Sequence, residues 1–106
     1  MLAPQIYCHA TKELVAAKWG EPVSISLQVL GTPEPEVKWF LGGHHLASSL
    51  DYWIKKRERV HSLYISRATD EVNYGLSVVA QNQAGEDKKD LNVKVYKSEY
   101  HHLQNV

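Results

Sequence analysis

The hydrophobic and polar positions of the chain alternate with a period of two, which is typical of β-strands that bury one face. The alternation is clearest from Val23 to Val29 and returns from Val37 to Leu41, after two closely spaced prolines that favour extended or turn backbone. No convincing helical pattern of apolar positions exceeds two turns. The predicted inward positions are Val23, Ile25, Leu27, Val29, Val37, Trp39, Leu41, Leu63, Ile65, Leu76, Val78, Ala80, Leu91, Val93 and Val95, with a further strand from Tyr52 to Lys56.

Turn residues separate the predicted strands at short intervals. Gly42-Gly43 ends one strand, and Asn82 to Gly85 predicts a hairpin with a short loop between the last two. We interpret Lys12 to Lys18 as an edge strand leading into a turn at Trp19-Gly20, because a lone short helix there would be marginally stable. The polar tail, residues 97–106, is expected to be a linker or a flexible end.

Length and charge limit the classes of function. The 106 residues suffice for one domain with a two-layer core. Twelve basic and twelve acidic side chains cancel, so we expect neither nucleic acid nor an anionic membrane surface as a partner. The apolar runs are far shorter than the roughly 20 residues that span a bilayer, and the first residues do not resemble a signal peptide.

Cysteine usage predicts a reducing compartment. Cys8 is the only cysteine, so no intrachain disulfide can form, and a secreted, disulfide-stapled scaffold is disfavoured. No glycosylation sequon follows Asn73, Asn82 or Asn92. Both observations favour a cytoplasmic location.

Three segments together resemble a known family. Around seven short strands with a tryptophan on the third describe an immunoglobulin-type sandwich. The spacing of Gly31, Pro33, Pro35, Val37 and Trp39 resembles the connection from strand B to strand C in the intermediate (I) set of immunoglobulin domains. Two further motifs resemble the family's strand E and its F to G turn: Leu63-x-Ile65 and Ala80-x-Asn82-x-x-Gly85.

The resemblance covers roughly Pro4 to Tyr96 and implies an all-β, two-sheet immunoglobulin-like sandwich with Greek-key topology and no disulfide. It implies a domain over residues 1–96, followed by the tail. Leu27 and Val78 occupy the positions of the two family cysteines and, with Trp39, form the predicted structural core. The replacement of both cysteines by apolar residues is a feature of the immunoglobulin domains that this chain resembles, those of the intracellular muscle and cytoskeletal proteins titin, twitchin, obscurin and palladin.

The entry into strand F departs from the family pattern. The family's Asp-x-Gly-x-Tyr motif, counted without gaps, falls on Val72, Tyr74 and Leu76. Asp70 and Tyr74 have the right spacing for the aspartate and tyrosine, but this alternative needs two extra residues before Ala80, such as a bulge. We favour the gapless count, which predicts an atypical corner.

Nothing in the sequence predicts catalysis, a cofactor or a metal site. The pairs His44-His45 and His101-His102 are candidate metal ligands, yet adjacent strand residues point to opposite faces, and a closed site needs four convergent ligands. Cys8 and His9 do not form a nucleophile-base pair, and Gly42-Gly43 lacks the lysine and hydroxyl of a phosphate loop. We therefore expect no enzyme.

A basic cluster beside two aromatic residues is the candidate partner-binding site. One of two adjacent aromatic residues on a strand must face outward, and an exposed aromatic beside arginines resembles an interface hot spot. The alternatives are a solvated edge strand, or an aromatic covered by the Leu46 to Leu50 connection. Trp19 is a candidate contact to a neighbouring domain. The predicted site comprises Tyr52, Trp53, Lys55, Lys56, Arg57 and Arg59, with Arg67 beyond it.

We predict a non-catalytic protein-protein interaction module of a larger cytoplasmic muscle or cytoskeletal scaffold. The expected partner is a protein: another immunoglobulin domain, a second copy in a homodimer, or a cytoskeletal filament, since the resemblance to palladin implies that such patches bind actin. Partner strands could add at the predicted edges, Ile6 to Val15 and Leu91 to Tyr96. The alternatives are a passive spacer in a tandem array, and an extracellular adhesion or receptor domain.

Overall fold

The computed structural model describes residues 1–8 and 14–97, which form strands and one short 3-10 helix. Each predicted alternating segment lies in a strand. The strands are β1 (Leu2–Cys8), β2 (Leu14–Lys18), β3 (Val23–Thr32), β4 (Glu36–Leu41), β5 (His44–His45), β6 (Tyr52–Arg57), β7 (Val60–Ile65), β8 (Leu76–Asn82) and β9 (Gly85–Tyr96). The 3-10 helix (Asp70–Tyr74) lies between β7 and β8.

The strands form two sheets, as expected for the sandwich. The first sheet has the order β1-β3-β7-β6 and the second has the order β2-β9-β8-β4-β5. All pairings are antiparallel except β2 with β9, which is parallel. The predicted hairpin closes over two residues, because Asn82 pairs with Gly85. The predicted all-β class is confirmed.

The core combines apolar side chains from both sheets. Leu27 on β3, Trp39 on β4 and Val78 on β8 are all buried, with exposed fractions of 0%, 1% and 0%. Two apolar side chains therefore occupy the core positions that the family resemblance assigns to cysteines. The buried cluster comprises Ile6, Ala17, Val23, Leu27, Val29, Trp39, Leu41, Leu63, Ile65, Ala68, Val72, Leu76, Val78, Ala80, Val93 and Val95.

The prediction that Leu91 to Tyr96 forms a sheet edge is wrong. The end of β9 pairs with β2 from Asn92 to Tyr96, while its beginning pairs with β8 up to Leu91. The chain moves from the first sheet in β1 to the second sheet in β2, which places β2 outside β9. The outermost described strands are β1 and β6 in the first sheet and β2 and β5 in the second.

The corner before β8 agrees with the gapless count of the family's Asp-x-Gly-x-Tyr motif. The pairing of β4 with β8 runs from Leu76 to Gln81 without a register shift, so no bulge lies within this stretch. Val72 and Leu76 are both buried, and the amide of Val72 donates to the carbonyl of Thr69 at 3.1 Å. Gly75, with a φ of 107°, ends the 3-10 helix. The buried side chains of Val72 and Leu76 therefore hold the corner in place before and after Gly75.

Candidate functional site

The outer strand β6 divides its side chains between two faces. Tyr52 and Ile54 pack against the core, so the alternate residues Trp53, Lys55 and Arg57 point away from it. Trp53 has an exposed fraction of 62%. Its cross-strand partner is Tyr64 on β7, and the two ring centroids lie 6.0 Å apart. We call the side chains of Trp53, Lys55, Arg57 and Tyr64 the β6 face.

The connection from Leu46 to Leu50 covers backbone rather than the indole of Trp53. The amide of Ile54 donates to Oγ of Ser48 at 3.1 Å, and the amide of Ser49 donates to the carbonyl of Tyr52 at 2.6 Å. Leu50 projects into solvent, with an exposed fraction of 98%. The connection thus caps the first half of the β6 edge and leaves Trp53 exposed.

Charge is distributed unequally between the two sheets. The strands of the first sheet contain no aspartate or glutamate, and their Lys and Arg residues all lie on β6. The strands of the second sheet carry both signs, including the pairs Lys38–Glu36 and Lys88–Asp90. No described residue forms an ion pair with Lys55 or Arg57. The β6 face therefore combines an exposed aromatic pair with two cations that pair with no acidic side chain in the described part of the chain.

Lys56 does not belong to the β6 face. It lies on the opposite side of the strand, and its Nζ is 2.5 Å from Oε1 of Glu34. The hydrogen bond from Lys56 and its positive charge lower the pKa of the Glu34 carboxyl. Lys56 also pairs across the sheet with buried His61, whose pKa is lowered first by burial and then by the charge of Lys56. The predicted cluster is thus split between two environments.

The structure separates Tyr52 and Arg59 from the β6 face as well. The hydroxyl of Tyr52 donates to Oε2 of Glu71 at 3.5 Å, and burial, followed by the charge of Glu71, raises the pKa of that hydroxyl. Arg59 lies in the turn after β6, where its carbonyl accepts from the amide of Val29 at 2.9 Å. Of the predicted site, Trp53, Lys55 and Arg57 share one face.

A groove adjoins Trp53 on the outer side of the first sheet. Its volume is about 410 Å³, and its lining comes from the start of β3, the end of β7 and the residues leading into β6. Sequence reasoning missed two of its apolar members, Leu50 and Tyr64. Tyr64 could have been found as the outward position between inward Leu63 and Ile65, whereas its pairing with Trp53 depends on a register that the sequence does not reveal.

Trp19 lies at the end of the sandwich where the chain leaves β9. Its amide donates to the carbonyl of Tyr96 at 2.8 Å. Its ring has cations near it on both Arg67 and Lys97, at 5.9 and 5.8 Å from the ring centroid. The ring remains 41% exposed. An exposed aromatic residue therefore stands beside the C-terminal exit of the domain.

The histidine pair of β5 does not form a metal centre in the described part of the chain. His44 and His45 are both exposed, and the ring of His45 lies 5.5 Å from that of Phe40. Within residues 1–8 and 14–97, no group of three or more His, Cys, Asp or Glu side chains could hold a metal ion. His9, His101 and His102 lie outside the described residues, and the side chain of Cys8 is not described. No described helix is long and apolar enough to span a bilayer.

Comparison with known proteins agrees with this architecture. Residues 8–95 match the family model of the immunoglobulin I-set domain. The chain is 34% identical over 80 residues to the muscle M-line assembly protein unc-89 of Caenorhabditis elegans, covering 76% of the chain and 1% of that protein. It is 32% identical over 76 residues to mouse myopalladin, covering 72% of the chain and 6% of that protein.

A solved complex of titin M10 with an obscurin-like 1 immunoglobulin domain contains a similar fold, with a TM-score of 0.81 and 25% identity. The match covers 92% of this chain and 98% of the solved one. The domain thus corresponds to a small part of its long muscle relatives and to nearly all of a single solved immunoglobulin domain. The chain belongs to the immunoglobulin I-set family.

Proposed function

We propose that this domain is a non-catalytic protein-binding module of a larger cytoplasmic scaffold in muscle or the cytoskeleton, and that it binds through the β6 face. The carrying observation is that Trp53 is largely exposed beside Lys55 and Arg57, on a sheet whose strands carry no acidic side chain. Tryptophan and arginine are enriched among the residues that dominate binding energy at interfaces.

The arrangement suggests how binding would proceed. Lys55 and Arg57 would attract an acidic partner and raise the association rate, because complementary charges steer diffusional encounter. Trp53 and Tyr64 would then supply apolar area that loses water in the complex. The cytoplasmic location is supported by the apolar residues Leu27 and Val78 at the cysteine positions, since a domain built this way needs no oxidising compartment.

The proposed partner is a cytoskeletal filament, and actin filaments are the first to test because the resemblance to palladin implies them. Another immunoglobulin domain or a second copy of this one is the alternative protein partner. The relatives include an M-line assembly protein and myopalladin, and one structural neighbour is a complex containing immunoglobulin domains. These similarities support a partner of protein class, and the choice among proteins needs an experiment.

Cosedimentation with actin filaments provides the test. The double variant Lys55→Glu/Arg57→Glu should lose binding at low salt, while binding by the unaltered domain should weaken as salt rises. The matched control is Lys88→Glu/Lys94→Glu, which makes the same charge change on the exposed face of β9 in the second sheet. Binding that both double variants retain equally would contradict the proposed surface, and no binding by the unaltered domain would eliminate actin as the partner.

A second candidate function is a spacer whose contacts lie with adjacent domains of the same chain. Trp19 favours it, because this exposed ring lies beside Tyr96 and Lys97 at the exit of the domain. A spacer predicts that Trp19→Ala changes the relative orientation of this domain and its C-terminal neighbour in a longer fragment, measured by small-angle X-ray scattering. It also predicts that Trp53→Ala has no effect on any binding measurement.

A further inference from the structure

We infer that the groove beside Trp53, together with Lys55 and Arg57, is a binding site for an extended acidic segment of a partner protein. One apolar side chain of that segment would occupy the groove, and two acidic side chains would contact the two cations. The inference rests on the proposed function as a protein-binding module and specifies the chemistry of the partner.

The groove offers apolar surface to an anchor side chain. Its volume is about 410 Å³, and Leu50, Trp53 and Tyr64 contribute exposed apolar surface to its lining. Pro22, which precedes β3, and Ser24, the second residue of β3, also line it. Burying an aliphatic or aromatic side chain among these groups removes apolar area from water on both partners, which stabilises the complex.

Lys55 and Arg57 are separated by the same distance as alternate side chains of an extended peptide. Lys55 and Arg57 follow Trp53 by two and four residues on the same face of β6, which places them about 7 and about 13 Å along the strand at a rise of about 3.3 Å per residue. Alternate side chains of an extended ligand have the same repeat. A segment with acidic residues two and four positions from its apolar anchor therefore matches the β6 face.

Nearby acidic groups define the two ends of the site. Asp51 lines the groove on the side away from Lys55, so an acidic residue on that side of the anchor would be repelled. Glu58 follows Arg57 in the next turn and limits the acidic stretch at the other end. Complementarity thus favours a short run of negative charge on one side of the anchor.

The structure favours recognition by side chains over addition of a strand. Ser48 and Ser49 already bond the outer backbone groups of Ile54 and Tyr52, so a partner strand cannot pair with that half of β6. A second copy of this chain that docked through β9 is a poorer occupant, because Lys88 and Lys89 interrupt the acidic residues of that strand. A partner segment with uninterrupted acidic character fits better.

Titration with three capped peptides tests the inference. The probe is Ser-Ser-Leu-Ser-Glu-Ser-Glu, one control replaces both glutamates by lysine, and the other replaces the leucine by serine. Two-dimensional NMR of the domain should show saturable shifts for the probe, centred on the indole N–H of Trp53 and the amides of β6. Each control should bind at least about tenfold more weakly, because the site needs both the anchor and the charges.

Variants of the domain separate the two contributions. Trp53→Ala should weaken binding of the probe about tenfold and remove most of its preference over the anchorless peptide. Lys55→Glu/Arg57→Glu should remove the preference for glutamate over lysine, while Lys88→Glu/Lys94→Glu should bind like the unaltered domain. Because all these side chains are exposed, circular dichroism should show folded protein in every case.

The inference is overturned if the probe and the lysine peptide bind alike, if no saturable binding occurs, or if the shifts map to the second sheet. Its failure is distinguishable from that of the proposed function. Salt-sensitive binding to filaments through the β6 face without peptide binding would mean that the face recognises a folded surface. Peptide binding without filament binding would mean that the partner is a different protein.

Discussion

Replacing Leu27 by alanine measures how far the sandwich depends on the apolar side chain at one of the family's cysteine positions. Leu27 is fully buried, with an exposed fraction of 0%, and belongs to the same buried cluster as Trp39 and Val78. Leucine-to-alanine changes in cores cost about 2–5 kcal/mol, combining lost transfer free energy with the cavity that remains. Because core strands surround this position, we expect little collapse and a cost of about 3–4 kcal/mol.

That cost is large for a domain of this size. Small domains have unfolding free energies of about 5–15 kcal/mol, so one substitution would remove a fifth or more of the total. At about 4–8 °C per kcal/mol, a loss of about 3 kcal/mol lowers the melting temperature by about 12–24 °C. No intrachain disulfide is available to limit the unfolded state, since the chain has one cysteine.

Urea denaturation followed by tryptophan fluorescence provides the assay, with the slope m checked for constancy across variants. The matched control is Leu50→Ala, the same chemical change at a leucine with an exposed fraction of 98%. It should change the free energy of unfolding by less than about 0.5 kcal/mol. A loss below about 1 kcal/mol for Leu27→Ala, or equal losses at both positions, would refute the proposed packing.

Three further substitutions test local features of the fold. Gly31→Ala should lower the melting temperature, because an added Cβ would lie 2.7 Å from Cγ of Pro35; an unchanged midpoint would show that this close approach is absent. Asn82→Ala should cost about 1–3 kcal/mol in urea, since this side chain donates to two backbone carbonyls and accepts from two backbone N–H groups, and a smaller loss would argue against that network. Burial lowers the pKa of His61 below its ordinary value of 6.5, so as pH falls the unfolded chain binds a proton before the folded chain does. The resulting contribution to the free energy of unfolding is present above about pH 6.5 and lost as pH falls through the folded-state pKa. His61→Gln should therefore reduce the fall in the free energy of unfolding over this pH range. Equal pH dependence in the variant and the unaltered domain would show that His61 is not its source.

The strands of the sandwich could be predicted because burial of one face imposes alternation on the sequence. Leu27, Trp39 and Val78 stand out as inward positions for this reason, and all three are buried. The strand β5 has only two residues, too few to display a period. The 3-10 helix has only five residues, and its position depends on the burial of Val72 against distant strands.

The position of β9 within its sheet could not be predicted from local pattern. Its outward side chains are polar, which is typical of an edge strand, yet the parallel pairing with β2 covers its end. That pairing joins residues separated by most of the chain. Sequence alternation identifies which face of a strand is buried, but it does not identify the strand's neighbours.

The candidate site was predictable in composition but not in arrangement. The sequence requires one of Tyr52 and Trp53 to face outward, and the structure shows that it is Trp53. Lys56 is adjacent to Lys55 in sequence, yet its partner Glu34 comes from a distant loop and places it in a separate cluster. Tyr64, on the neighbouring strand β7, also lines the groove, and only the register between β6 and β7 places it beside Trp53.

The most direct test of the proposed function compares the three tryptophans in one sample. Trp53 lies on the β6 face, Trp19 stands at the C-terminal exit, and Trp39 is buried in the core. Transferred cross-saturation from actin filaments to the indole N–H groups reports which ring contacts the partner. Binding through the β6 face predicts that the indole N–H signal of Trp53 loses the most intensity and that of Trp39 loses little. The greatest loss at Trp19, or equal losses at all three rings, would contradict binding through the β6 face.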